Sequence, residues 1–381
     1  MKKRSRLALI LFSALLMVFL AACGGSKNSS SPAPSSSASP SASASSDASA
    51  SPDGKTDGID WNARIEANKK AGKITYSTGF NYAASPPNVH AVVAHELGYF
   101  QELGLDVDVI PGLEAENMKL LAAGRVQFAG SGTASTVIQS IVNDAPIKGV
   151  AVMSPVGMGA LMVLEESGIK EPKDLEGKTL GYKGALPANF KAMFKNAGAD
   201  INKINLVSVG YDPTILATTD VDAITVFKSN EPDAMRKLGY NVRLMDPKDY
   251  GVNSNFGVVV ANTEFIEKNP TAAEDFLRAL FKAHEYIKAN QAEVIKILES
   301  RSETSYNLEV ETNRLKVEME IVESTKHEGK GVGYHTEKQW EDEIVVLVTT
   351  GSINSALPVD KVMDNSLISN IYDGDKLIWK E

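Results

Sequence analysis

From about Gly72 onward, apolar residues form short runs that alternate with helical spacings. ITYSTGF (Ile74 to Phe80) reads as a buried strand, and Val89, Val92, Val93, Leu97 and Phe100 then recur at the three-and-four spacing of one helix face. LDVDVI predicts the next strand, followed by the helix ENMKLLAAG, the strand VQFAG, the helix TASTVIQSIV and the strand KGVAVM. This is the rhythm of parallel α/β units. A second series starts near Ala160, where ALMVL, KTLGY, NLVSV, VDAITVF and NVRLM read as strands, with helices at PANFKAMFKNAG and NEPDAMRKLG. FGVVVAN (Phe256 to Asn262) predicts one more strand. The chain then turns helical through NPTAAEDFLRALFKAHEYIKAN and QAEVIKILESR, with later helices near Gln339 and Val362.

Some three hundred residues of this texture exceed one small domain, so two lobes are expected. The glycine-containing stretches SPVGMGA and GVNSNFG flank the middle segment, which reads as an insertion joined to the first lobe by two crossings, the arrangement of a hinge. The expected division is 72–157 for the first part of lobe 1, 158–254 for lobe 2, and 255–381 for the return strand and C-terminal helices of lobe 1.

The N-terminal texture differs. MKKRSRLALILFSALLMVFLAAC puts four basic residues ahead of an apolar run, the layout of a secretory leader over 1–22. Its end, Leu20-Ala21-Ala22-Cys23, resembles the bacterial lipobox, in which the cysteine is lipidated; an uncleaved membrane anchor is the alternative. Residues 23–71 form the lipidated start, a tether and a lead-in. The Ser/Ala/Pro-rich part, to about Gly58, has too few bulky apolar groups to build a core. A lipid and a flexible spacer would let a folded body sample the space beside a membrane.

Charge and cysteine count narrow the chemistry. The chain carries 39 basic and 48 acidic residues, and without the leader's four basic residues the balance is −13. There is no basic run of the kind a nucleic-acid binder needs. Cys23 is the sole cysteine, which excludes intrachain disulfides and thiolate metal clusters and leaves no other thiol as a nucleophile. Five histidines are scattered with no metal-binding spacing, and no G-x-S-x-G occurs. The expectation is a carrier and not an enzyme, with no cofactor.

HELGYFQELGLDVDV, AAGRVQFAGSGTAS, DLEGKTLGY, VDAITVFKSNEPDAMRKLGYNV and FGVVVANTEFIEKNP follow one another in register along about three hundred residues. In this order they resemble the solute-binding proteins of nitrate/taurine/sulfonate-type and thiamine-precursor-type ABC importers. The resemblance implies a type II periplasmic-binding-protein fold: two α/β lobes, each a parallel-type sheet flanked by helices, joined by a two-strand hinge. It also implies a monomeric lipoprotein outside the cytoplasmic membrane that captures a small solute and passes it to an ABC permease and its ATPase. A sensing receptor of the same fold is the alternative role. Enzymes related to this family, the thiamine-pyrimidine synthases, depend on a cysteine-rich segment that this chain does not have.

The ligand crevice of an open parallel sheet lies at the carboxyl ends of its strands. Asn88 and His90 follow the first strand, so they are expected on the crevice side. Asn88 reads equally as a helix N-cap. Asn230-Glu231-Pro232 resembles the branch that binds thiamine pyrimidine precursors or other aromatic heterocycles; there a histidine stands ten residues before the Gly-Tyr of the first helix, whereas here that position is Asn88. Phe80, Tyr82, Tyr182 and Tyr250 are expected to offer ring faces to a planar ligand, and Glu231 to accept from its N–H groups, unless it only compensates a helix dipole. On this reading Glu231→Gln weakens ligand and leaves the melting temperature of the free protein nearly unchanged. The rival reading is a sulfonate, taurine or nitrate, cradled by Ser131, Thr133 and Ser135 at a helix start. The matching loop of lobe 2, Lys183 to Pro187, has no hydroxyl, which favours the heterocycle.

Overall fold

The computed structural model describes residues 58–302 and 305–380; the leader, Cys23 and the tether up to residue 57 lie outside the described residues. Ten strands form two five-stranded sheets. The first four are β1 (Lys73–Ser77), β2 (Asp106–Ile110), β3 (Phe128–Thr133) and β4 (Ile147–Ser154). Then come β5 (Gly159–Leu164), β6 (Thr179–Tyr182), β7 (Asn205–Ser208), β8 (Ala223–Phe227) and β9 (Val242–Met245), and the chain returns as β10 (Phe256–Asn262).

The first sheet has the order β2-β1-β3-β10-β4 and the second β7-β6-β8-β5-β9. Each is mixed, where the sequence pattern suggested parallel sheets. β10 runs antiparallel to both β3 and β4, and β5 antiparallel to both β8 and β9. In each case the odd strand is the one entered directly from the other sheet. A direct crossing reverses the strand, whereas a helical crossover keeps neighbours parallel.

Both faces of both sheets are covered, which is why the strands read as continuous apolar runs. On the first sheet, one core joins Ile74, Phe100, Phe128 and Val259 to the Asn88–Glu96, Pro270–Ala289, Gln291–Arg301 and Leu308–Thr325 helices. The opposite face packs Val258 and Val260 under the fully buried Trp340 of the Glu337–Thr349 helix. The second sheet has its own two cores, around Phe190, Met193 and Phe194 on one face and Met162, Ile224 and Met235 on the other.

The crossings, residues 155–158 and 246–255, lie side by side. A side chain at Gly157 would put its Cβ 2.2 Å from the Ser254 Oγ, so any other residue here would force that hydroxyl to turn away. Lys228 ties lobe 2 to the same place, donating to the Gly157 carbonyl at 2.7 Å and pairing with Asp246.

The sequence pattern left out the long Leu308–Thr325 helix and also a helix, Trp61–Lys70, that precedes β1 inside the stretch expected to be lead-in. WNARIEANKK has almost no apolar face, and polar contacts hold it instead. Asp60 caps it, accepting from the Ala63 N–H at 2.9 Å. Arg64 and Asn68 reach the fully buried Asp275, which Arg278 also pairs at 2.9 Å.

Candidate functional site

The loops after β3, β6 and β8 and the return crossing surround a cavity of about 590 Å³. That volume lies in the range of small-molecule sites. Glu114, Thr133 and Ser135 line it from the side of the first sheet and its flanking helices, and Lys183, Leu186, Phe190 and Phe227 from the side of the second. Ser254 and Phe256 form its back, and Glu343 and Leu347 of the Glu337–Thr349 helix its flank.

The polar groups in and behind this wall are paired, and Glu231 stands behind it, reaching the cavity only through Lys183. Glu231, the first residue of the Glu231–Lys237 helix, is 4% exposed; it accepts from the Phe227 N–H at 2.9 Å and from the Lys183 ammonium. Lys183 stands 5.5 Å from the centre of the exposed Tyr211 ring. Glu343, buried beneath the cavity, accepts from the Ser135 hydroxyl and from the Asn255 N–H at 3.1 Å. Burial pushes its carboxyl up to about 7 despite these donors. The exposed Phe227 ring at the end of β8 lines the cavity, while the exposed Phe80, just after β1, lies outside its lining. Among the described residues no group of histidines and carboxylates could hold a metal ion. The arrangement suits retention of a small, flat, polar molecule with N–H donors.

The structure redistributes the residues expected here. His90 is fully buried and points away from the cavity. Its Nε2 is 2.9 Å from the Nδ1 of His284, whose Nε2 meets Glu323 at 2.6 Å. Burial, then His284, holds His90 well below the usual histidine range, so the ring stays neutral. Asn88 is neither cap nor wall: it is the first helical residue, and its Oδ1 accepts from the Gly79 N–H at 2.8 Å and the Tyr76 hydroxyl at 3.2 Å, fastening the end of β1.

Ser131 is not in a loop, because β3 continues to Thr133; the buried hydroxyl is directed at Glu114 and the Thr133 carbonyl. Tyr82 lies under the Arg301 guanidinium, 5.2 Å from its ring centre, and its carbonyl accepts from the Tyr306 hydroxyl. Tyr182 and Tyr250 pack against the Phe190 core of lobe 2 and do not line the cavity. Thr133 does line it, Phe80 is exposed beside Leu113, and Asn230 is half-buried as the residue before the Glu231 helix.

Three groups escaped the sequence reading. Glu114 is one. The others, Glu343 and Glu318, had a legible signal: each is a carboxylate on an otherwise apolar stripe, Trp340-Glu343-Ile344-Leu347 and Leu315-Glu318-Met319-Val322, and a charged residue at such a position needs partners.

Comparison with known proteins agrees with this geometry. A formylaminopyrimidine-binding protein of Halalkalibacterium halodurans is 30% identical over 68% of this chain and 81% of its own length. A 4-amino-5-hydroxymethyl-2-methylpyrimidine phosphate synthase of Aspergillus parasiticus is 24% identical over 58% of this chain and 68% of its own. Among solved structures, the periplasmic aliphatic sulphonate binding protein SsuA of Escherichia coli superposes with a TM-score of 0.56 at 15% identity, covering 81% of this chain and 94% of that one, a likeness that speaks for the two-lobed fold. Residues 86–294, from the turn before the Asn88 helix through β2 to β10 and into the C-terminal helices, match the family described as NMT1/THI5 like, and the chain belongs to that family.

Proposed function

We propose that this chain is the extracytoplasmic solute-binding component of an ABC importer and that its ligand is a neutral pyrimidine of the thiamine-precursor type. The observation that carries the ligand class is the acidic, already-paired wall of the cleft. Glu114 and Glu343 line it, its Lys183 is already paired with Glu231 just behind, and the Ser131 and Ser135 hydroxyls are directed at carboxylates. A sulfonate or nitrate would need converging free donors. A pyrimidine with amino or formamide N–H groups would instead find acceptors in Glu114 and, on displacing Lys183, Glu231, and a ring face in Phe227, with Phe80 nearby on lobe 1. The ligand that names the Halalkalibacterium halodurans relative is of this class.

The carrier role is favoured over synthesis because Cys23, the only thiol, stands in the leader-proximal segment, while the related synthases depend on a cysteine-rich one. Lipidation at Cys23 would hold the body at the outer face of the membrane beside its permease. Among the described residues no helix is long and apolar enough to cross a membrane. The test is a thermal-shift screen of formylaminopyrimidine and hydroxymethylpyrimidine against taurine, alkanesulfonates and nitrate, followed by calorimetry. Stabilisation by sulfonates alone, indifferent to Glu231, would overturn the pyrimidine reading. A permease and ATPase encoded beside this gene separate transport from sensing.

A further inference from the structure

We propose that Glu318, on the Leu308–Thr325 helix, is a positioning residue that latches lobe 2 to lobe 1 and holds the loop bearing Glu231 in its ligand-ready place. Its two oxygens accept from opposite sides of the cleft: the Ser85 hydroxyl at 2.5 Å from the loop after β1, and the Ser229 hydroxyl at 2.6 Å from the loop after β8. Ser229 is two residues from Glu231 and is held a second time, its carbonyl accepting from Asn313 of the same helix at 3.0 Å. One helical turn before Asn313, Glu309 pairs with Lys237 of lobe 2 at 2.7 Å. Near the other end of the helix, the Thr325 hydroxyl meets Ser154, the last residue of β4 before the first crossing, at 2.8 Å. A helix packed on the lobe 1 core through Leu315, Met319 and Val322 therefore runs from the hinge to the loop that carries the proposed ligand acceptor.

Glu318 is buried by this contact, and opening the lobes would return it to water. Burial, opposed by the Ser229 and Ser85 hydroxyls, raises its carboxyl to about 7. The charged groups facing it are Arg314 on its own helix, which lowers the value, and Glu311, which raises it while accepting from the Ala84 N–H. Arg314 and Glu311 also pair with each other, and across the interface Lys237 is already held by Asp233 and Glu309. Closing the lobes thus takes up a proton. The closed form is favoured below about pH 4.5, where the solvated carboxyl is also protonated, and loses ground as pH rises through 7, by as much as about tenfold per pH unit.

The test uses the ligand-free full chain, so that it stands apart from the ligand reading on which the role of Glu231 rests. Hydrogen exchange of the amides of residues 227–231 and small-angle scattering are followed from pH 4.5 to 8. Glu318→Ala and Ser229→Ala are expected to speed exchange of this segment about tenfold at pH 6 and to expand the scattering profile. Ser85→Ala, which removes only the lobe 1 end, does so more weakly. Glu318→Gln restores the protected segment and abolishes its pH dependence, a result that a purely packing role would not give. Unchanged exchange in Ser229→Ala, or a pH profile that survives in Glu318→Gln, overturns the latch. A pyrimidine titration of the same variants is scored separately: failure of the wild-type chain to bind condemns the ligand reading and leaves the exchange result standing.

Discussion

Glu231→Gln separates what the pairing with Lys183 does for the fold from what Glu231 does for a ligand. The glutamine carbonyl can still accept from the Phe227 N–H, now made at 2.9 Å, but its amide NH₂ turns a donor towards the Lys183 ammonium. The loss is one charge-assisted hydrogen bond, about 1.5–3 kcal/mol when fully buried. The Lys183 side chain keeps 18% of its surface exposed and has the Tyr211 ring within reach, so the lower end applies. For a body of this size about 1.5 kcal/mol lowers the melting temperature by roughly 2 °C. Without the pairing with Lys183, the sequence alone leads one to expect almost no change. Lys183→Met, which strands a carboxylate buried to 4% exposure, is expected to cost more, and the double substitution less than the sum of the two. Urea unfolding of the four proteins gives the coupling, and calorimetry with formylaminopyrimidine gives the ligand arm, where Glu231→Gln should weaken binding about ten- to a hundredfold. Additive effects on stability would refute the ion pair. Wild-type affinity in Glu231→Gln would remove Glu231 from the site.

Glu343, raised from 4.5 to about 7 by burial, stabilises the fold fully below pH 4.5 and loses that contribution as pH rises through 7; Glu343→Gln should flatten the stability profile over this window by up to about 3 kcal/mol, measured by urea unfolding at pH 5 and 8. Gly157→Ala should disturb the crossing, because its Cβ would meet the Ser254 Oγ at 2.2 Å, and Ser254→Gly should restore it, both read from scattering with and without ligand. Cys23→Ala should abolish labelling by a fatty-acid probe and release the protein from membranes; retention of both would refute the lipoprotein reading.

The sequence by itself determined which segments become strands, where the chain leaves one series and returns, and which family it joins. These are local facts: periodicity records that a face is buried, and the strand runs from Ile74 to Asn262 could be read one at a time. Even the mixed character of the sheets escaped only because strand direction depends on the crossing. What the tertiary structure decided is who meets whom. Asn88 and His90 are two residues apart and so about 200° apart around a helix, and a helix enclosed by the sheet and the Pro270–Ala289 helix leaves neither for the cleft. His90 meets a partner 194 residues away, Ser85 one 233 away, and Glu231 meets Lys183 across 48. Burial makes such encounters compulsory, since a polar group taken out of water must be paired, but the pairing partner is fixed by how whole elements pack, and no periodicity within one segment carries that information.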